Sequence, residues 1–69
     1  MMAQQRFEQI LAYVNRRRAA SVAELCAATG ASEATIRRDL AELSRLGHVR
    51  KGHGGAVAPR PAFGAQGAG

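Results

Sequence analysis

Residues 32–58 read SEATIRRDLAELSRLGHVRKGHGGAVA. Ser32 is a residue type that starts helices, because its hydroxyl accepts from backbone N–H groups that have no partner in the first turn. Glu33 follows in that turn, where the helix dipole favours an anion. Ile36, Leu40 and Leu43 then recur at helical spacing and make one apolar stripe. At about 100° per residue, Ala34, Arg38 and Arg45 point roughly opposite Ile36, with Thr35 and Arg37 on the flanks. Gly47 ends the helix, so the spacing predicts a helix over residues 32–46 with arginines on its exposed N-terminal half. Residues 48–58 follow as a basic ribbon, with Val49 and Val57 as strand formers and Gly52, Gly54 and Gly55 permitting a tight turn. A helix that presents arginines, followed by a basic hairpin, suits the major groove and backbone of a DNA duplex.

Upstream, Ser21-Val22-Ala23-Glu24 has the form of a capping box, in which hydroxyl and carboxylate each satisfy a backbone N–H. Val22, Leu25 and Cys26 give that short helix its inward face, and Gly30 supplies a left-handed C-cap. Only Gly30 and Ala31 separate this helix from Ser32, so the two helices must cross steeply, as in a helix-turn-helix. Before them, residues 4–17 place Phe7, Ile10, Leu11 and Val14 at i, i+3, i+4 and i+7, which is one helix face. Arg16, Arg17 and Arg18 close this first helix. They complement its dipole, and they are also candidates for contact with a phosphate backbone. Ala19 to Ser21 offers a short third strand. The fold class expected is mainly α with a small β-hairpin: a winged helix-turn-helix of three helices plus wing.

Sixty-nine residues make one domain at most. The larger apolar side chains are few, and a core of that size supports a three-helix unit but not a substrate cavity and catalytic constellation as well. An enzyme is therefore not expected, and neither is a cofactor. Ten Lys and Arg against five Asp and Glu give a net charge of +5, which favours a polyanionic partner. Cys26 is the single cysteine, so no intrachain disulfide forms, which fits a reducing cytoplasm. No run approaches the ~20 apolar residues of a membrane span. Polar residues at 4–6 and 8–9 interrupt any signal-like stretch at the start. From Pro59 the sequence PRPAFGAQGAG has one large apolar residue, Phe63. The expected division is a DNA-binding domain over 1–58 and a linker or disordered tail over 59–69.

Taken together, these residues resemble the N-terminal DNA-binding domain of the DeoR family of bacterial transcriptional regulators. The likeness rests on residues 22–25 (VAEL), 32–40 (SEATIRRDL), Leu43, Leu46-Gly47 and His53-Gly54-Gly55-Ala56, and runs from about Arg6 to Ala58. His48 stands where an aliphatic residue is common, and Ala31 where valine often precedes the capping serine. The resemblance implies a repressor of a catabolic operon. It also implies a second, C-terminal domain that senses sugar phosphates or related metabolites and is absent from these residues. Thr35, Arg37 and Arg38 are then expected at the operator, with Ser32, Ala34 and Arg45 on the same helix and Arg50, Lys51 and His53 on the wing. The partner is a double-stranded DNA operator, with no membrane. The exposed helix faces read as polar or alanine, so the isolated domain is expected to be a monomer. The full-length regulator is expected to be a homo-oligomer through the missing effector domain.

The same residues admit rival readings. His48, His53 and Cys26 lack the paired ligands of a zinc site, so no metal is expected. GHGGA runs through Val57 and Ala58 to a proline rather than into a helix, so it is no phosphate-cradling loop. Arg38 and Arg45 both lie within reach of Glu42, at i,i+4 and i,i+3, as on an idle solvated face. Asp39 flanks the buried stripe and suits a structural pairing with a basic residue of the first helix or wing. Some winged helices bind proteins through the same surface, and salt dependence separates that case from DNA. RNA is disfavoured by the lack of an exposed aromatic pair for base stacking.

Overall fold

A computed structural model of the chain describes residues 2–52 and 54–59. In chain order it contains α1 (Ala3–Arg17), β1 (Ala19–Ser21), α2 (Val22–Thr29), α3 (Glu33–Arg45), β2 (Arg50–Gly52) and β3 (Gly55–Val57). The three strands form one antiparallel sheet in the order β1-β3-β2. This is a winged helix-turn-helix, mostly helical, and the short third strand expected at Ala19–Ser21 is present.

Each boundary follows from local chemistry. Ser21 Oγ accepts from the Glu24 N–H at 3.0 Å, and Glu24 Oε1 accepts from the Ser21 N–H at 2.8 Å, so the capping box is complete. Gly30 ends α2 at φ 79°, with its N–H bonded to the Cys26 carbonyl at 2.7 Å. Thr29 is buried, and its hydroxyl both donates to the Leu25 carbonyl at 2.8 Å and accepts from the Ala31 N–H at 3.2 Å. The tight turn into α3 thus has its polar groups satisfied from inside. At the far end of α3, His48 N–H bonds Leu43 O at 2.9 Å and Gly47 N–H bonds Ser44 O at 3.0 Å. With Gly47 at φ 85°, this is a Schellman motif, and it turns the chain toward the wing.

One apolar core joins all the layers. Ile10 and Val14 of α1, Leu25 of α2, and Ile36 and Leu43 of α3 have essentially no solvent exposure. Each such side chain, fully buried, contributes about 1.5–3 kcal/mol. Ala20 of β1, Val49 before β2 and Ala56 of β3 close the core from the sheet side. The sequence predicts Val49 in a strand; it lies just ahead of β2 instead, where its side chain turns inward. Leu46 is 49% exposed and Val57 37%, although both belong to the few larger apolar residues available to the core. Leu46 is the residue on which α3 ends, one step past the buried stripe. With half-buried Phe7 and Leu11, and with Leu43 and His48, it lines an apolar groove of about 370 Å³. The exposed faces are therefore not wholly polar or alanine, as the sequence pattern suggests.

The three wing glycines have different roles. Gly54 sits at φ 68° in the turn, which favours a residue without a side chain. Gly55 has no left-handed φ but lies tight against β1, where an added Cβ would fall 2.8 Å from Ser21 Cα and overlap the Ala20 carbonyl. Gly52 meets neither condition, since nothing lies within 4 Å of its Cβ position.

Candidate nucleic-acid interface

The interface is built on α3. Ser32 Oγ accepts from the Thr35 N–H at 3.2 Å, and the Ser32 hydroxyl donates to Thr35 Oγ1 at 3.0 Å. Ser32 is thus committed to the helix start, while the Thr35 hydroxyl keeps its own proton to donate. Ile36, Asp39, Leu40 and Leu43 are buried on one side. Ser32, Ala34, Arg37 and Arg38 are exposed on the other, and Thr35 is half-buried between them. A helix that reads DNA meets base edges with its N-terminal residues, and it is this end that carries the exposed arginines.

An ion pair joins the buried side of α3 to α1. Asp39 is 4% exposed, and the Arg6 guanidinium of α1 donates to both its oxygens, from Nε to Oδ2 and from Nη2 to Oδ1, the latter at 3.0 Å. The hydrogen bond to Asp39 is the main cause of a pKa raised above the ordinary value for Arg6. The structural pairing expected of Asp39 is therefore present, on α1 rather than on the wing. It ties the start of the first helix to the residue next to Arg38.

The exposed arginines differ in their surroundings. Arg37 is paired one turn back with Glu33, at 2.6 Å, with both side chains more than half exposed. Such a pair adds about 0.2–0.5 kcal/mol to the helix. A good arginine contact to guanine is worth about 1–3 kcal/mol, so the pair does not hold Arg37 back from a base. Arg38 makes no ion pair with any described residue; Glu42, one turn on, is taken by Arg45 instead. Arg45 grips Glu42 with Nε on Oε1 at 3.2 Å and Nη2 on Oε2 at 2.5 Å. That hydrogen bond holds the Glu42 carboxyl below the ordinary glutamate value and raises Arg45 above its own. Arg45 also lies at the far end of α3, about 12 Å along the axis from Arg37. It is the cation on this helix least placed for a base.

The wing stands beside this surface. Arg50 pairs with Val57 and Lys51 with Ala56 across the hairpin, and Arg50 and Lys51 are both exposed. Arg37 and Lys51 flank a cleft of about 190 Å³ between α3 and the wing, floored by Val22 and Leu40. Two cations from different elements thus face one gap. His53, the other wing residue assigned to the interface, lies outside the described residues. Away from α3, Arg17 stacks over the Tyr13 ring at 5.2 Å and Arg18 adopts a left-handed φ of 69° as the cap of α1. Two residues of the arginine triplet thus have local structural roles.

Two features escape a reading of the sequence. The i,i+4 spacing of Glu33 and Arg37, with the acid first, is the favoured order for a pair, but the sequence reading makes Glu33 only a dipole partner. The crowding at Gly55 carries no sequence signal distinct from that of its neighbouring glycines.

Comparison with known proteins agrees with this geometry. The DeoR-like helix-turn-helix domain family matches residues 6–62. The chain belongs to that family. It is 38% identical over 57 residues to the uncharacterized HTH-type transcriptional regulator FruR of Bacillus subtilis, covering 83% of this chain and 23% of that protein. It is 39% identical over 56 residues to the lactose phosphotransferase system repressor of Streptococcus mutans, covering 81% and 22%. With the L-fucose operon activator of Haemophilus influenzae it shares 48% over 52 residues, covering 75% and 21%. The chain therefore spans less than a quarter of the length of these relatives. No solved structure matches it significantly. As a DeoR-like domain the chain is a DNA-binding module of a transcriptional regulator, not a catalytic unit. Among the described residues, no helix is long and apolar enough to cross a membrane.

Proposed function

We propose that the chain is the operator-binding domain of a bacterial repressor that controls a catabolic operon. In this reading α3 enters the major groove, where Arg37 and Arg38 read base edges with Ala34 and Thr35 beside them. Ser32 holds the helix start at the groove. Arg50, Lys51 and His53 bind the phosphate backbone from the wing, and Arg45 adds to the positive field. The DNA-binding domain covers residues 1–58; the linker or disordered tail expected over 59–69 lies, from residue 60 on, outside the described residues. The observation that carries the reading is the division of α3: a buried stripe anchored by the Arg6–Asp39 pair on one side, and Arg37 and Arg38 exposed on the other.

The operon's chemistry is inferred from the relatives, two of which are named for a lactose phosphotransferase system and an L-fucose operon. One of those names is a repressor's and the other an activator's, so the sign of regulation is tested by a reporter fused to the selected operator. The isolated domain acts as a monomer in the cytoplasm. The whole regulator is a homo-oligomer assembled through an effector domain, and it spans two half-sites about one helical turn apart.

The test is a selection from random duplex DNA, followed by fluorescence anisotropy on the selected site across a salt series. The proposal expects one enriched half-site and an affinity that falls steeply with salt, because neutralised phosphates release counterions. Binding that ignores salt, or a pool with no enriched sequence, would overturn it.

A further inference from the structure

We propose that Glu33 is a specificity-determining residue that reads a base edge together with Arg37; this deepens, and rests on, the operator-binding function proposed above. Glu33 is the first residue of α3, exposed, and one turn ahead of Arg37 on the same side of the helix. That is the end of a recognition helix that meets base edges.

The geometry of the pair leaves half the carboxylate unused. Arg37 donates from Nε at 3.1 Å and from Nη2 at 2.6 Å, and both bonds go to Glu33 Oε2. Glu33 Oε1 accepts no hydrogen bond from a described residue. An ionised carboxylate has about four lone-pair sites, so an open acceptor remains at the tip of the helix. The second glutamate pair of α3 is built differently: Arg45 occupies one oxygen of Glu42 with each of two nitrogens. Glu42 has a donor on each oxygen, whereas Glu33 has donors on one oxygen only. Arg37 likewise keeps Nη1 and one Nη2 proton unengaged, a donor edge facing away from the carboxylate.

Chemistry then decides what the open oxygen can accept. A carboxylate only accepts, and the donors in the major groove are the amines of cytosine (N4) and adenine (N6). Guanine and thymine present acceptors that repel it. Arginine only donates, and it pairs best with O6 and N7 of guanine. Glu33 and Arg37 held side by side form an acceptor next to a donor, matched to a cytosine and a guanine in the same or adjacent base pairs. A lone carboxylate among phosphates would oppose every sequence. Here the bound guanidinium cancels its charge at short range, so the penalty falls on sequences that leave Oε1 facing an acceptor.

The experiment runs the random-duplex selection with the wild-type domain, Glu33→Gln and Glu33→Ala, checks each fold by circular dichroism, and measures anisotropy on single-base variants of the site. Ser32 caps the helix without Glu33, so both variants are expected to fold. The wild type should enrich a cytosine beside the guanine whose selection is lost in Arg37→Ala. Glu33→Gln should shift that position toward adenine, whose N6 and N7 match an amide. Glu33→Ala should lose the preference, with discrimination at that base falling about tenfold. If both variants keep the wild-type consensus, or lose affinity equally for all sequences, Glu33 serves only the start of the helix and the inference fails. A wild-type domain that enriches no sequence is a separate result, which removes the operator-binding function and this inference with it.

Discussion

Replacing Gly55 with alanine should cost this domain a large part of its stability, and the size of the loss can be worked from the packing of the sheet. The new Cβ would sit 2.8 Å from Ser21 Cα and overlap the Ala20 carbonyl, backbone atoms that no side-chain rotation can clear. Carbon atoms in contact settle at about 3.5–4.0 Å, so β1 must withdraw from β3 by roughly 1 Å. Hydrogen bonds of about 2.9 Å would stretch to nearly 4 Å and break. The strand pairing from Ala19↔Val57 to Ser21↔Gly55 is at stake, together with the 2.8 Å bond from Val22 N–H to Gly54 O that ties the wing turn to α2. Overpacking of this kind costs about 1–3 kcal/mol, which in a domain this small lowers Tm by roughly 5–20 °C. Thermal unfolding followed by circular dichroism reads the effect directly. Gly52→Ala is the matched control, because that position has open space, and its Tm should stay near that of the wild type. Equal melting temperatures for Gly55→Ala and the wild type would show that β1 yields freely and that the wing is not held from that side.

Four further outcomes are expected. Arg37→Ala and Arg38→Ala should each weaken binding to the selected site by about 1–3 kcal/mol with the fold intact, as read by gel-shift titration. Arg50→Ala with Lys51→Ala should weaken all duplexes about equally and lower the salt slope by roughly one for each phosphate that is no longer neutralised; a changed consensus would contradict a backbone role for the wing. Arg18→Gly should raise the Tm slightly, since it removes the cost of a left-handed φ at a residue with a side chain, offset in part by the freer unfolded chain. The pKa of Glu42 is lowered in the fold by the Arg45 hydrogen bond. Its contribution is therefore fully present above the unfolded glutamate value and is lost as pH falls through the lower folded value; Glu42→Gln should remove that part of the acid titration of Tm, a small effect because the pair is exposed.

The parts of this fold that depend on neighbours in sequence are legible in it. Ser21 with Glu24, Gly30, Ser32 and Gly47 mark helix ends through bonds that span only a few residues, and each lies where its local pattern predicts. The apolar stripe of α3 is equally plain, because a period of 3.6 is a local property. What depends on distant partners is not legible. The choice of Arg6 as the partner of Asp39 is set by how α1 crosses α3, and any of several arginines would suit the sequence. Leu46 is exposed because it is the C-cap of α3, where the chain leaves the helix for the wing. Gly55 looks like its neighbours until β1 is laid against it. Of the candidate interface, the positions of Arg37, Arg38, Arg50 and Lys51 are readable, while the placing of Arg37 and Lys51 across one cleft needs the hairpin's orientation.

The Arg6–Asp39 pair and the stripe around it have a consequence for how such a domain can change its target. On α3, positions 36, 39, 40 and 43 look inward and positions 33, 34, 37 and 38 look outward, with half-buried Thr35 between the two sets. The scaffold's angle is fixed by contacts on the inner set alone. A library randomised at the four outer positions should therefore stay folded across most of its members while its preferred DNA varies from clone to clone. The helix works like a type-holder: the grip is at the back, and the characters on the front can be exchanged without loosening it.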